Sequence, residues 1–75
     1  MKIKIIPSTK EVIKVLAKFG FYTGRSKRHI IMEHENFRGR KRTVTIPRRK
    51  EIVFKTFKSI LKQAGITQDE FIEKS

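Results

Sequence analysis

Apolar residues recur at helical spacing in two stretches of the chain, with lysines on the opposite side. The first follows residues 8–11, Ser-Thr-Lys-Glu, which have the pattern of a capping box, and it ends at Gly20. The second ends at Gly65. The apolar positions are Val12, Ile13, Leu16, Ala17 and Phe19 in the first stretch and Phe54, Phe57, Ile60, Leu61 and Ala64 in the second. This pattern predicts two amphipathic helices.

Between the helices the composition changes to aromatic, β-branched and basic residues. Three segments there, at residues 21–26, 28–35 and 41–46, are typical of β-strands. Residues 36–39, Asn-Phe-Arg-Gly, predict the turn between the second and third strands, since Asn and Gly tolerate positive φ. Pro47 ends the third strand. We expect the three strands to form an antiparallel meander.

The two ends of the chain add short elements. Residues 1–6 alternate weakly before Pro7 and indicate an extended lead-in, and residues 67–70 form a second capping box that opens a short final helix carrying Phe71 and Ile72. The predicted fold class is therefore α+β, in the order helix, three antiparallel strands, helix and short C-terminal helix. Because each long helix has one apolar stripe, we expect both on one face of the sheet.

The length and composition restrict the kind of protein. A chain of 75 residues supports one domain, over residues 1–75, and it has no cysteine for a disulfide or a cysteine-based zinc site. With two histidines we expect no structural metal. Apolar runs of two or three residues are far too short for a membrane span, so we expect a cytoplasmic protein with no membrane partner.

The charge indicates the partner. Lys and Arg number 19 against 7 Asp and Glu, a formal net charge of +12. Residues 25–50 alone carry ten basic and two acidic residues, a net charge of +8. A surface this basic favours a polyanionic partner such as a nucleic acid, an anionic membrane or an acidic protein.

The two histidines are the side chains that ordinarily titrate near neutral pH, so we expect any acid–base chemistry to use one of them. His29 and His34 are five positions apart, which places them on opposite faces of a regular strand. This offset disfavours a cooperating pair or a shared metal ion. We interpret His34 as an ordinary polar strand residue.

His29 differs from His34 in its predicted surroundings. It starts the second strand, which in an antiparallel meander lies beside the end of the third. Basic residues from the first turn and from the end of the third strand therefore converge on the same end of the sheet. These candidate phosphate-binding residues are Arg25, Lys27, Arg28, Arg48, Arg49 and Lys50. A titratable imidazole surrounded by cations suits a phosphodiester substrate.

Other basic and aromatic residues leave alternatives open. The cations of the second hairpin are either a solvated turn or a track for backbone phosphates; they are Arg38, Arg40, Lys41 and Arg42. The lysines of the helices are interpreted as solvated faces. Tyr22 and Phe37 are the aromatic residues free to stack on a base. Four other phenylalanines fall on helical core stripes, namely Phe19, Phe54, Phe57 and Phe71.

Several segments resemble one known family. They are Lys-Glu-Val-Ile-Lys-Val-Leu at residues 10–16, Gly-Phe at 20–21, Arg-His-Ile-Ile at 28–31, Thr-Val-Thr-Ile-Pro at 43–47 and Lys-Ser-Ile-Leu-Lys-Gln-Ala-Gly-Ile at 58–66. Together they look like the HicA toxins of type II toxin-antitoxin systems, over about residues 8–71. The most specific piece is Ser-Ile-Leu-Lys-Gln-Ala-Gly at residues 59–65.

This resemblance implies a fold similar to the double-stranded RNA-binding domain. It further implies an mRNA-cleaving ribonuclease that is held inactive by a partner antitoxin of the HicB family. In that family the catalytic histidine lies at the start of the second strand, and this position falls on His29. Family members usually carry Gly-Ser immediately before the histidine, whereas Lys27 and Arg28 stand there in this sequence.

Three hypotheses follow from the sequence. The leading one is a metal-independent endoribonuclease without cofactors that cleaves mRNA, with His29 as the general base and the six surrounding cations as RNA-binding residues. The alternative is a non-catalytic module that binds RNA or DNA through the same basic surface. The third is a basic protein whose main partner is an acidic antitoxin and whose RNA contact is secondary. Charge alone does not separate them.

Overall fold

The computed structural model describes residues 7–26, 28–48 and 52–75, except for the side chains of Arg25 and Ser26. The elements are α1 (Thr9–Lys18), β1 (Tyr22–Ser26), β2 (His29–Phe37), β3 (Arg40–Pro47), α2 (Phe54–Ala64) and α3 (Gln68–Lys74). The strands form one antiparallel sheet in the order β1-β2-β3. The predicted α+β order is confirmed, while the lead-in expected at residues 1–6 lies outside the described residues.

Local signals account for the ends of the long helices. The Ser8 hydroxyl caps α1 by accepting a hydrogen bond of 3.3 Å from the backbone N–H of Glu11. Gly20 then follows α1 with a φ of 99°, and Gly65 ends α2 with a φ of 79°, both in the left-handed region that favours glycine. In contrast, α2 begins after Val53 with no side-chain cap.

The core lies between the helices and one face of the sheet. The sheet contributes Met32, which pairs with Val44 across β2 and β3, and the neighbouring Ile46. In α1 the structure buries Val15 and leaves Ala17 exposed, which corrects the predicted apolar stripe. The reason is geometric, because position 17 lies about 140° around the helix axis from position 12, whereas 15 and 16 flank position 12 closely.

The strand β2 extends to Phe37, two residues beyond its predicted end. An irregularity in the pairing between His34 and Phe37 interrupts the alternation of faces. The Phe37 ring therefore packs beside Phe19 and Phe21, at centroid distances of 5.9 and 5.4 Å. The interpretation of Phe37 as free to stack on a base is wrong, because its ring belongs to this aromatic cluster.

Two cations of the second hairpin bind the protein itself. Arg38 donates two hydrogen bonds to the Glu70 carboxylate, of 2.9 and 2.6 Å, and a third of 3.0 Å to the Gly65 carbonyl. The Nε atom of Arg42 donates to the Phe37 carbonyl at 3.1 Å. The hairpin is thereby tied to the junction between α2 and α3, so these two arginines have structural roles. Arg40 and Lys41, the other members of the predicted set, are exposed.

The carboxylate of Glu70 has a strongly lowered pKa. The hydrogen bonds from Arg38 are the main cause, and the backbone N–H of Thr67 donates to the same carboxylate at 2.8 Å. Together they lower the pKa of Glu70 to about 2, because both stabilise the charged form. The Thr67 hydroxyl accepts from the Glu70 N–H in return, which completes the predicted capping box of α3.

The low pKa of Glu70 predicts an acid-sensitive contribution to stability. The pKa falls from an ordinary 4.5 to about 2 on folding, so the contribution is fully present above pH 4.5 and is lost as the pH falls towards 2. We expect the free energy of unfolding, measured by urea titration, to decline over this interval, and Glu70→Gln to remove that part of the decline. Glu73→Gln, exposed on the same helix, is the matched control; identical pH profiles for the two variants would contradict the assignment.

Candidate active site at the end of the sheet

His29 is the first residue of β2, and it pairs with Pro47, the last residue of β3. Its side chain is exposed, whereas the next residue, Ile30, packs against the core. Because side chains alternate along a strand, His29 lies on the face of the sheet that the helices leave open. The structure thus confirms that the start of β2 lies beside the end of β3.

Two of the predicted cations lie just beyond the pair of His29 and Pro47. Arg28 directly precedes His29, and Arg48 directly follows Pro47, the last residue of β3; both side chains are exposed. The pairing of His29 with Pro47 therefore places these two positions at the same end of the sheet. The remaining candidates lie outside the described residues or have undescribed side chains, so their part in the site stays a prediction: Arg25, Lys27, Arg49 and Lys50.

The open face next to His29 is partly apolar. Ile31 is half-buried there and pairs with Thr45 of β3. On the β1 side it is flanked by Gly24, where a Cβ atom would lie 3.6 Å from the Ile31 carbonyl and 3.5 Å from the Glu33 carboxylate. Because no side chain rises from Gly24, the surface beside His29 has room for a sugar or a base.

Acidic groups occupy the far part of the same face. Glu33 and Glu35 follow on β2, and the Tyr22 hydroxyl of β1 donates a hydrogen bond to the Glu35 carboxylate. That hydrogen bond, with smaller contributions from desolvation and the two carboxylates, raises the pKa of Tyr22 to about 12, so the phenol stays protonated at neutral pH. The carboxylates disfavour a phosphate in this part of the face, so an anionic ligand is expected at the His29 end instead.

His34 lies on the helix face and has a packing role. Its ring is 5.2 Å from the ring of Phe21 and 5.2 Å from that of Phe37, and its Nδ1 accepts the Asn36 N–H at 3.2 Å. A Cβ atom at Gly20 would lie 2.9 Å from Nε2, so the imidazole sits directly on the glycine backbone. This geometry agrees with the interpretation of His34 as an ordinary strand residue.

The specific motif at residues 59–65 has a structural explanation that the sequence did not reveal. The Gln63 side chain accepts the backbone N–H of Thr45 at 3.0 Å and donates to the Ser59 hydroxyl at 3.3 Å. Gln63 thus satisfies an outward-pointing donor of the edge strand β3 and holds α2 beside it. The four-residue spacing of Ser59 and Gln63 is a signal of one helix face, but it does not identify the strand that this face meets.

Neither a metal cluster nor a membrane-spanning helix is found in the described part of the chain. No three His, Asp or Glu side chains within residues 7–26, 28–48 and 52–75 are grouped so that they could hold a metal ion. Within the same residues, none of the helices has the length and apolarity needed to cross a membrane.

Comparison with known families gives one match. Residues 9–66 match the family model described as HicA toxin of bacterial toxin-antitoxin, a range that includes α1, the whole sheet, α2 and His29. No curated protein sequence matches the chain. Because the family model covers most of its length, this chain belongs to the HicA toxin family of bacterial toxin-antitoxin systems, which implies an antitoxin as its partner.

Proposed function

We propose that this toxin is a metal-independent endoribonuclease that cleaves mRNA in the cytoplasm, with His29 as its single catalytic residue and no cofactor. The observation that carries the proposal is the exposed imidazole of His29 on the open face of the sheet, at the end where Arg28 comes just before β2 and Arg48 just after β3. An anion-binding end with one titratable group suits a phosphodiester.

The proposed chemistry is an internal displacement within the RNA. Neutral His29 takes the proton of a ribose 2′-OH, and the 2′ oxygen attacks the adjacent phosphorus to form a cyclic phosphate. The bond from phosphorus to the 5′ oxygen of the next nucleotide breaks, and that oxygen takes a proton from water or from a lysine. Because the nucleophile is the 2′-OH, RNA is the substrate and DNA is not.

The cations have two roles, transition-state stabilisation and phosphate binding. Arg28, Lys27 and Arg48 stabilise the charge that develops on the phosphorane, since positioned cations act most strongly where charge appears in the transition state. Arg25, Arg49 and Lys50 hold the flanking backbone phosphates. The surface over Ile31 and Gly24 accepts a sugar or a base, and the carboxylates beyond it keep the phosphates at the His29 end.

The antitoxin that the family implies is proposed to be a HicB-type protein that keeps the toxin inactive. A toxin of this kind should therefore be isolated in a tight complex with a second small protein, and it should be poorly tolerated by cells when expressed alone.

A substrate with one altered sugar tests the mechanism. After the cleavage position in an RNA oligonucleotide has been mapped, a 2′-deoxy sugar at that position should abolish cleavage, because the nucleophile is missing. RNA affinity should stay within about twofold, since phosphate contacts dominate binding. Gel electrophoresis of end-labelled RNA measures cleavage, and mass spectrometry should identify the cyclic phosphate.

The control substrate carries the 2′-deoxy sugar two nucleotides away and should be cut normally, with or without a chelator. Cleavage at the deoxy position would contradict the 2′-OH mechanism. Loss of cleavage on chelation would contradict metal independence, and binding without any cleavage product would favour the non-catalytic alternative.

A further inference from the structure

The solvent side of α2 carries three lysines and no acid. Lys55, Lys58 and Lys62 are exposed and recur at spacings of three and four, so they share one side of the helix. Like charges at this spacing weaken a helix, and among the described residues no carboxylate pairs with these ammonium groups. The arrangement is unfavourable in the isolated protein, and an anionic partner would relieve it.

These lysines border a groove of about 530 Å³ between α2 and the start of α3. Leu61 and Ile66 form its buried floor, while Ser59 and Gln68 complete the lining. One turn beyond Gln68, the side chain of Ile72 is 61% exposed. The groove, defined by these lining residues, thus combines positive charge with apolar surface.

The combination favours an acidic protein segment over RNA. A sugar-phosphate backbone would pair with the ammonium groups but would make little use of Ile66 or Ile72. A segment with both carboxylates and apolar side chains satisfies both parts of the surface. The groove also lies on the helix side of the sheet, whereas His29 lies on the open face, so it does not continue the surface proposed for RNA.

We propose that the groove is the docking site for an acidic, partly apolar segment of the antitoxin. The carboxylates of this segment pair with Lys55, Lys58 and Lys62, and its apolar side chains lie against Ile66 and Ile72. This inference rests on the antitoxin partner in the proposed function, not on catalysis by His29. Because the groove and His29 lie on opposite sides of the sheet, the segment anchors the antitoxin without itself covering His29.

Charge reversal in the groove tests the proposal. Lys58→Glu/Lys62→Glu is compared with Lys10→Glu/Lys14→Glu on α1, a pair with the same spacing, exposure and change in charge. Both are made in the His29→Ala toxin, and affinity for the purified cognate antitoxin is measured by calorimetry at two salt concentrations. The groove variant should bind at least about tenfold more weakly, with reduced salt dependence, while the α1 variant stays within about threefold.

Two further variants keep the test informative. Lys58→Gln/Lys62→Gln removes the positive charges without adding negative ones, so it serves as the test if the charge reversal disturbs folding. It should give a smaller loss of antitoxin affinity in the same direction. Ile72→Ser should also weaken antitoxin binding, because it removes the exposed apolar contact. Unchanged affinity in the two folded double-lysine variants and in folded Ile72→Ser would overturn the proposal.

The other possible occupant of the groove is RNA, and RNA affinity measured with a short single-stranded oligonucleotide distinguishes it from the antitoxin. Equal, small losses in the groove and α1 variants are expected, because both change the net charge alike. A selective loss of RNA affinity in the groove variant, with antitoxin binding intact, would make the groove an RNA surface and overturn the proposal. If the wild-type toxin fails to cleave RNA but groove variants still lose the antitoxin, the proposed catalysis fails and the docking site stands.

Discussion

Replacing His29 with alanine should lower the rate of RNA cleavage by at least about 10²-fold, because it removes the base that takes the 2′-OH proton. The measurement is a single-turnover assay on an RNA oligonucleotide whose cleavage position has been mapped, together with the growth of cells that express the variant. Since the side chain is exposed on the open face, the unfolding midpoint should not change. RNA affinity should also persist, because the cations that bind the backbone remain.

His34→Ala is the matched control, since it removes the same ring from the other face of the same strand. It should retain cleavage under conditions in which it is folded, but it should unfold more readily because the imidazole packs between Phe21 and Phe37. If the His29→Ala toxin still cleaves RNA and still arrests growth, the assignment of His29 is wrong. The same conclusion follows if folded His34→Ala loses cleavage instead.

Replacing Ile60 with alanine should destabilise the protein by about 2–5 kcal/mol, which is the usual cost of such a change in a well-packed core. The Ile60 side chain in α2 has no solvent exposure, so the change leaves a cavity between the helices and the sheet. Small domains unfold with only about 5–15 kcal/mol, so a large part of the variant should be unfolded in mild urea. Urea titrations followed by circular dichroism measure the loss.

Ile72→Ala makes the same chemical change at a side chain that is 61% exposed. It should alter the free energy of unfolding by no more than about 0.5 kcal/mol, as is usual for surface positions. Equal losses in the two variants would contradict the placement of the core between α2 and the sheet.

Much of the fold could be predicted because its signals are local. The Ser8 cap, the glycines at positions 20 and 65 and the capping box at residues 67–70 each act within one helical turn, and the structure shows all of them. The prediction erred where the assignment depended on packing. The choice between Val15 and Ala17 required the direction in which α1 faces the sheet, and the irregularity before Phe37 leaves no mark in the alternation of residue types.

The candidate site was predictable in part for a topological reason. An antiparallel hairpin must bring the start of β2 beside the end of β3, so residue order alone placed His29 near Pro47, and strand parity placed His34 on the other face. The contributions of Lys27, Arg49 and Lys50 stay predictions. The acidic surface around Tyr22 and Glu35 was missed, since two separate strands had to meet before these groups became neighbours.

Periodicity, capping and strand alternation act between residues close in the chain. The sequence alone was therefore enough to predict the element order, the glycines that end the long helices and the placement of His29 and His34 on opposite faces of a strand. Three features are visible only in the folded molecule: Arg38 binds Glu70, 32 residues away, Gln63 covers the edge of β3 at Thr45, and α2 and α3 border a lysine-lined groove. These contacts depend on the angle and offset at which helices settle on the sheet. Side-chain volumes in the shared core set that packing, and no local pattern encodes it.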